Sequence, residues 1–326
     1  MLINAKNFKH PNEYNLLSYD ANKNQLRIHA YARSGQGYIN VVVLETPVSD
    51  ESFEFMLSKQ DYTFLSKKGE VEISVQKTKL HVVDGANLYK FSSFETFTEV
   101  ELNIDAMTRL AAIDKSVISM ARMFTYKNDD NPFITGVVFA PNYVMATDRK
   151  SLGRIKMTTG VDKKISTNAA LFDMLVDYEA IFTDGKRIAI TYQNEIAYYS
   201  LIEGTLGEVS LKDEFTKIKL DIKQFKTAIQ DAKYFNSIIR FVVDAEKIAI
   251  KINAENGNEF SADIPLSESE FTNSLDYAIP AEGILKVIAV AQMNDSDELL
   301  LSDRALVYKD DNTEAFILRT RVHGGR

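Results

Sequence analysis

The sequence has 326 residues and no cysteine. Disulfides and thiolate zinc sites are therefore excluded, and the composition suits a cytoplasmic protein. No run of about 18 apolar residues occurs, so no membrane span or membrane partner is expected. The opening MLINAKNFKHPNEYN has no basic segment followed by an apolar one, so it does not read as a secretory signal. The four histidines, His10, His29, His81 and His323, are far apart, and none stands at local metal-ligand spacing from another. No G-x-S-x-G elbow and no nucleophile–base grouping appears. Ser34–Gly37, SGQG, has two glycines but no following helix, so it reads as a hairpin turn rather than a phosphate loop. The acidic groups Asp129-Asp130, Asp295 with Asp297 and Glu298, and Asp310-Asp311 sit in turn-like contexts, and Asp295–Asp297 lacks the glycine and later glutamate of a calcium loop. Enzymatic activity, a metal and a cofactor are not expected. A metal-dependent hydrolase built on these turn carboxylates is the third-ranked reading.

What is present is ordinary in amount and unusual in arrangement. Hydrophobic residues make up 45% and charged residues 26%, with a net charge of −8. That sum argues against nucleic acid, but the distribution of charge matters more than its total. The length suits two or three domains. Short β-branched or alternating runs dominate: Gln25–Ala32, Gly37–Glu45, Glu70–Gln76, Lys79–Gly85, Phe133–Ala140, Arg187–Gln193, Glu195–Ile202, Ile238–Ala245, Lys247–Ala254, Asp297–Asp303 and Glu314–Val322. Asp84-Gly85, Asp184-Gly185 and Asn256-Gly257 mark hairpin turns. Helical spacing predicts two long helices, Asp105–Arg122 and Asp221–Phe235, and three shorter ones, Ser52–Leu65, Ser166–Phe182 and Ala281–Gln292. Ser166 or Thr167 is a candidate cap.

The shorter helices recur about every 115 residues, each leading into two strands, which is the period of a repeated domain. The two long helices open the second and third copies. The first copy has no room for such a helix between MLINAK and QLRIHAYA, where Pro11 and asparagines intervene. The reading is three copies, 1–97, 98–208 and 209–322, with a tail at 323–326. The long helices carry basic stripes: Lys223, Lys226 and Lys233 on one, and Lys115, Ser119 and Arg122, with Arg109 nearby and Lys127 following, on the other. A solvated helix face explains one such stripe. Two, on corresponding helices of an acidic protein, suit a surface that tracks phosphates without reading bases.

FITGVVFAPNYVMATDRKSLGRI (Phe133–Ile155) resembles the second-domain segment of bacterial DNA polymerase III β sliding clamps, where an x-G-x-x-F strand precedes ATD-G-H-R-L-A. The segment from Leu275 to Val322 resembles the last helix and hairpins of that family. The resemblance covers about Glu99 to Val322 well and the first domain loosely. It implies an α+β chain of three clamp domains, each with two helices packed on antiparallel sheets, the first domain lacking its opening helix. It also implies a homodimer ring of six domains around double-stranded DNA, bound without sequence preference, with a DNA polymerase and a clamp loader as partners. Arg109, Lys115, Arg122, Lys127, Lys223, Lys226 and Lys233 would then face DNA. A partner-peptide pocket would draw on Ile134, Thr147, Arg149, Lys150, Leu152, Leu206, Val209, Phe316 and Leu318. Arg149 and Lys150 depart from the family's Gly and His, which favours acidic motifs. The family's proline after domain two is missing, with Leu206 and Val209 as substitutes. The lost first-domain helix fits a wider hole, a weaker closure or a divergent, phage-encoded clamp, and the sequence leaves these open. The alternative function is a clamp-like protein that sequesters replication factors without loading on DNA.

Overall fold

A computed structural model of the chain describes all residues except 1, 45–50, 77–78, 94–101, 127–130, 205, 208–210, 212, 255–256, 272–273 and 321–326. Lys127, Val209, Asp129-Asp130, Asn256, both expected domain boundaries and the tail lie outside the described residues.

Among the described residues the strands fall into six groups of four. The first holds β1 (Leu2–Asn4), a 3-10 turn at Ala5–Asn7, β2 (Tyr14–Asp20), β3 (Gln25–Tyr31) and β4 (Gly37–Val43). The second holds β5 (Phe53–Leu57), α1 (Lys59–Leu65), β6 (Glu70–Gln76), β7 (Lys79–Asp84) and β8 (Asn87–Ser92). The third holds β9 (Thr108–Arg109), α2 (Lys115–Met123), β10 (Gly136–Ala140), β11 (Tyr143–Thr147) and β12 (Ser151–Lys156). The fourth holds β13 (Ile165–Asn168), α3 (Leu171–Met174), β14 (Ala180–Thr183), β15 (Arg187–Tyr192) and β16 (Glu195–Ser200). The fifth holds β17 (Thr216–Leu220), α4 (Ile222–Phe235), β18 (Ile238–Val243), β19 (Lys247–Asn253) and β20 (Glu259–Ser269). The sixth holds β21 (Leu275–Pro280), α5 (Ala281–Met293), β22 (Glu298–Leu301), β23 (Ala305–Lys309) and β24 (Thr313–Leu318).

Neighbouring groups exchange their first strands. β1 pairs with β6 and β5 with β2; β9 pairs with β14 while β13 lies beside β10; β17 pairs with β22 and β21 with β18. Each exchange knits two groups into one module, so no group has a complete sheet alone. The pairs β1–β6, β5–β2, β9–β14, β17–β22 and β21–β18 are antiparallel, and the architecture is α+β.

By compactness the chain divides differently, into Met1–Ile113 with Thr167–Ile202, and Asp114–Ser166 with Glu203–Arg326. The first unit holds a sheet ordered β5-β2-β3-β4-β16-β15-β14-β9 and a second ordered β1-β6-β7-β8. Its core follows strand period two: Leu17 and Tyr19, Leu26 and Ile28, Val71 and Ile73, Leu80 and Val82 face inward with Tyr62 and Leu65 of α1. The other unit holds one sheet, β13-β10-β11-β12-β24-β23-β22-β17-β20-β19-β18-β21. Onto it α4 buries Ile222, Phe225, Ala228, Ile229 and Ala232, a stripe of helical period. In α5, a side chain at Gly283 would collide with Ile317, so this glycine lets the helix lie close on β24.

The helices at Asp221–Phe235 and Ala281–Gln292 form as expected, the first capped by Asp221 through Lys223 and Gln224 amides. Three expectations need correction. Asp105–Arg122 is a helix only in its second half. Asn103 caps a 3-10 turn at Ile104–Ala106, Thr108 and Arg109 pair with Thr183 and Phe182, and Asp114 caps α2. Arg109 therefore lies on a strand and shares no helix face with Lys115. Ser52–Leu65 splits because Phe53–Leu57 pairs with β2, and Ser58 caps the helix that follows. Ser166–Phe182 is strand at both ends, with Thr167 bridging Leu201, and only one helical turn remains, at Leu171–Met174. In each case cross-strand pairing overrides a weak helical period. The first copy does lack an opening helix: the 3-10 turn at Ala5–Asn7 stands there, and Tyr14–Asp20 is a strand that mixed composition hid.

Candidate functional site

In the register of β12 and β24, Leu152 stands opposite Phe316. Phe316 in turn stands opposite Val307 of β23. These three pack with Val138, Met145 and Ala305 into one apolar cluster. Leu206, Leu318, Tyr143, Leu211, Phe215 and Leu300 pack against it while staying half-buried. Four of the expected pocket residues, Leu152, Phe316, Leu206 and Leu318, thus meet. Leu152 is 0% exposed, so it is the floor of the cluster and the half-buried leucines are its rim. Ile134 is buried but stands outside this cluster; its carbonyl accepts from the Tyr126 amide at 2.7 Å. Leu211 and Phe215 were not picked out from sequence, because they lie in an irregular stretch with no period to read.

Thr147, Arg149 and Lys150 belong to the turn joining β11 to β12. The Thr147 hydroxyl donates to the Ser151 carbonyl at 2.7 Å and accepts from the Arg149 amide at 3.2 Å. Asp148 Oδ1 accepts from the Lys150 and Ser151 amides at 3.1 and 2.7 Å. Its Oδ2 accepts from the Ser151 hydroxyl at 2.7 Å and from Lys286 of α5 at 2.6 Å. The Lys150 carbonyl accepts from the Leu318 amide at 2.8 Å, tying the turn to the rim of the cluster. Arg149 is held at φ 75°, and its side chain and that of Lys150 are exposed.

The same turn is built a second time between β14 and β15. Thr183 donates to the Arg187 carbonyl at 2.8 Å and accepts from the Gly185 amide at 3.1 Å; Asp184 accepts from the Lys186 and Arg187 amides at 2.9 and 2.6 Å. The left-handed position there, φ 78°, is a glycine. Here the aspartate pairs with Arg187 of its own turn, at 2.8 Å.

Lys286 was missed in the sequence, although a lone lysine inside the apolar run ILKVIAV is a signal. Its side chain is 21% exposed and that of Asp148 14%. The ammonium also lies 5.8 Å from the centroid of the Phe124 ring. Burial pushes the Asp148 carboxyl up, but the hydrogen bonds from Lys286 and Ser151 outweigh it and hold the group below its ordinary range.

The basic residues of the helices are placed unevenly. Lys223 and Lys233 of α4 are exposed and Lys226 is half-buried. Lys226 donates to Gln292 of α5 at 2.9 Å, and Lys233 pairs with Glu282 of α5. On α2, Lys115 is exposed and Arg122 half-buried in the last turn. Among the described residues no three Asp, Glu or His side chains converge as a metal site would require. Asp310 instead accepts from the Asn312 and Thr313 amides of its own hairpin, both at 2.7 Å.

No family model matches the sequence, and no curated protein matches it. Solved structures do. The DNA polymerase III subunit beta of Pseudomonas aeruginosa superposes with a TM-score of 0.79 over 99% of this chain and 100% of its own, at 14% identity. The fold is that of a bacterial sliding clamp. The Bacillus subtilis clamp matches with a TM-score of 0.78 at 15% identity over 95% of this chain and 92% of its own. The Helicobacter pylori beta clamp, solved bound to a DNA ligase peptide, matches at 0.79 and 12% identity over 99% of this chain and 100% of its own. The clamp fold thus accounts for nearly the full described chain while its sequence has diverged widely.

Proposed function

We propose that this chain is a DNA polymerase processivity factor: two copies close a homodimeric ring around duplex DNA and tether the polymerase through a peptide cleft. The three clamp domains are 1–97, 98–208 and 209–322. One observation carries the reading. Between modules, the last strand of one group always pairs with the last strand of another: β4 with β16, and β12 with β24. The remaining last strands are β8 and β20. β8 is the edge of its sheet, and β20 has β17 beside only its second half, at Leu266, Glu268 and Ser269. By the same rule β8 of one copy takes β20 of the next. Three modules per copy make this a head-to-tail contact, which closes when two copies complete the rotation. Apolar surface stands ready at both places. Leu88 of β8 is 53% exposed, and Tyr234, 86% exposed, packs on Phe235, which packs on Phe260 of β20.

Duplex DNA is held by charge and topology, without base readout. Lys223, Lys226 and Lys233, with Lys115 and Arg122, supply the positive surface. A clamp loader opens the ring, and the polymerase docks at the Leu152–Phe316 cluster. Such a protein performs no chemistry and needs no cofactor. The test is primer extension by the cognate polymerase on a loaded circular template. Lys223→Glu, Lys226→Glu and Lys233→Glu together should shorten products to the length made without clamp, while binding of the polymerase peptide persists. The engagement of Lys226 and Lys233 by α5 favours a second reading, a clamp-like protein that sequesters replication factors without encircling DNA. That reading predicts no extension of product length by the wild-type chain.

A further inference from the structure

The two twin turns provide an internal control. Thr-Asp-x-Lys is common to both and the matching hydrogen bonds agree within a few tenths of an ångström; the left-handed residue differs, arginine against glycine, as does the fifth, Ser151 against Arg187. Glycine adopts φ near 75° without strain; arginine does so at a cost of conformational energy. Gly185 shows that the turn does not need an arginine. Arg149 therefore has no architectural reason to be there, and the strain is tolerated only because Thr147, Asp148 and Lys286 over-determine the turn.

The surroundings indicate what Arg149 is for. The chain is acidic, with 46 Asp and Glu against 38 Lys and Arg, and some of its cations are held by carboxylates. Arg154 pairs with Glu314, and Arg304 with Asp213. Others, at the cluster rim, are not. Among the described residues Arg149, Lys150, Lys164 and Arg319 have no carboxylate partner. Lys164 donates only to the Leu206 carbonyl, at 3.0 Å, and Arg319 to the Asp303 carbonyl, at 3.4 Å. Lys150 and Arg319 flank Leu318, and Lys164 sits on Leu206, so the unpaired cations border the half-buried leucines of the cleft.

We infer that Arg149 and Lys150 form a basic lip that selects peptides carrying a carboxylate beside a bulky apolar side chain. The inference rests on the docking role proposed for the cluster. The apolar side chain packs on Leu318 and Leu206 while the carboxylate meets the lip, where a charge-assisted hydrogen bond to guanidinium discriminates acid from amide. Asp148 and Lys286 take no part in contact; they fix the turn so that the lip is presented without reorganisation.

The test uses the full-length protein and two short fluorescein-labelled peptides, each ending in Leu-Phe, preceded by two aspartates in one and two asparagines in the other. The wild type should bind the Asp peptide about tenfold more tightly at low salt, and the preference should shrink as salt is raised. Arg149→Gly with Lys150→Ser should weaken the Asp peptide about tenfold and leave the Asn peptide within about twofold. Because glycine suits φ 75°, this variant keeps its fold, which its thermal midpoint verifies. Lys186→Ser in the twin turn should change neither affinity. Equal binding of the two peptides by the wild type, or equal loss of both in the variant, overturns the lip and leaves the docking cleft standing. If neither peptide binds, the docking cleft falls and the lip with it.

Discussion

Thr147–Ser151 and Thr183–Arg187 are the same turn put to two uses. In the second, every partner of Asp184 lies within the turn, Arg187 included, and glycine relieves the left-handed backbone. In the first, the aspartate reaches out to Lys286 of α5, and a strained arginine stands where glycine would be easier. The difference teaches that local sequence writes the hairpin, while long-range contact decides whether that hairpin is a mere connection or a fixed platform.

The sharpest way to break this contrast is to remove each aspartate's cation. Lys286→Met keeps the packing of α5 but leaves the mostly buried Asp148 without its ammonium, and should cost about 2–3 kcal/mol in urea unfolding. Arg187→Ala removes a cation supplied by its own turn and should cost under about 1 kcal/mol. Equal losses at the two sites would show that the anchoring of the first turn is incidental.

Exchanging the left-handed residues should have a smaller effect. Gly185→Arg meets no atom within 4 Å of the new Cβ, so its cost is torsional, about 1 kcal/mol. Arg149→Gly should return about 0.5–1 kcal/mol by relieving the same strain. A destabilised Arg149→Gly protein would mean that arginine has a structural role the twin turn does not show.

The acid response should be the smallest difference. At Asp184, as at Asp148, burial raises the carboxyl but accepted hydrogen bonds lower it further, so both lie below the ordinary range when folded. Their stabilisation is complete above the unfolded carboxylate pKa of about 4 and drains away as pH falls through the folded value. Unfolding midpoints followed from neutral pH downward should therefore drop in the wild type. Lys286→Met should drop less steeply, because Asp148 has less to lose.

The sequence displayed the repeat, one of the two long helices (Asp221–Phe235), the shorter Ala281–Gln292 and most hairpins, since alternation and Asp-Gly turns are local signals. Through resemblance it also named Leu152, Phe316, Leu206 and Leu318 together, and these four meet in one apolar cluster. It did not display the exchanged first strands, because β9 and β13 read as parts of helices until their partners β14 and β10 are known. Arg109 moved from a helix to a strand for that reason. Lys286 went unseen because its partner lies 138 residues away, a contact that no periodicity encodes. The strain at Arg149 was equally hidden, since φ is settled by the turn that Thr147 and Asp148 impose.

The central claim is that β8 and β20 are the two halves of an intermolecular joint. Light scattering of the purified chain on a sizing column, beside Leu88→Arg, tests it most directly, since Leu88 is exposed and its replacement leaves the core intact. The wild type should elute at twice the chain mass and the variant at the chain mass. A wild type that stays monomeric at high concentration, or a variant that dimerises as well as the wild type, would contradict the ring.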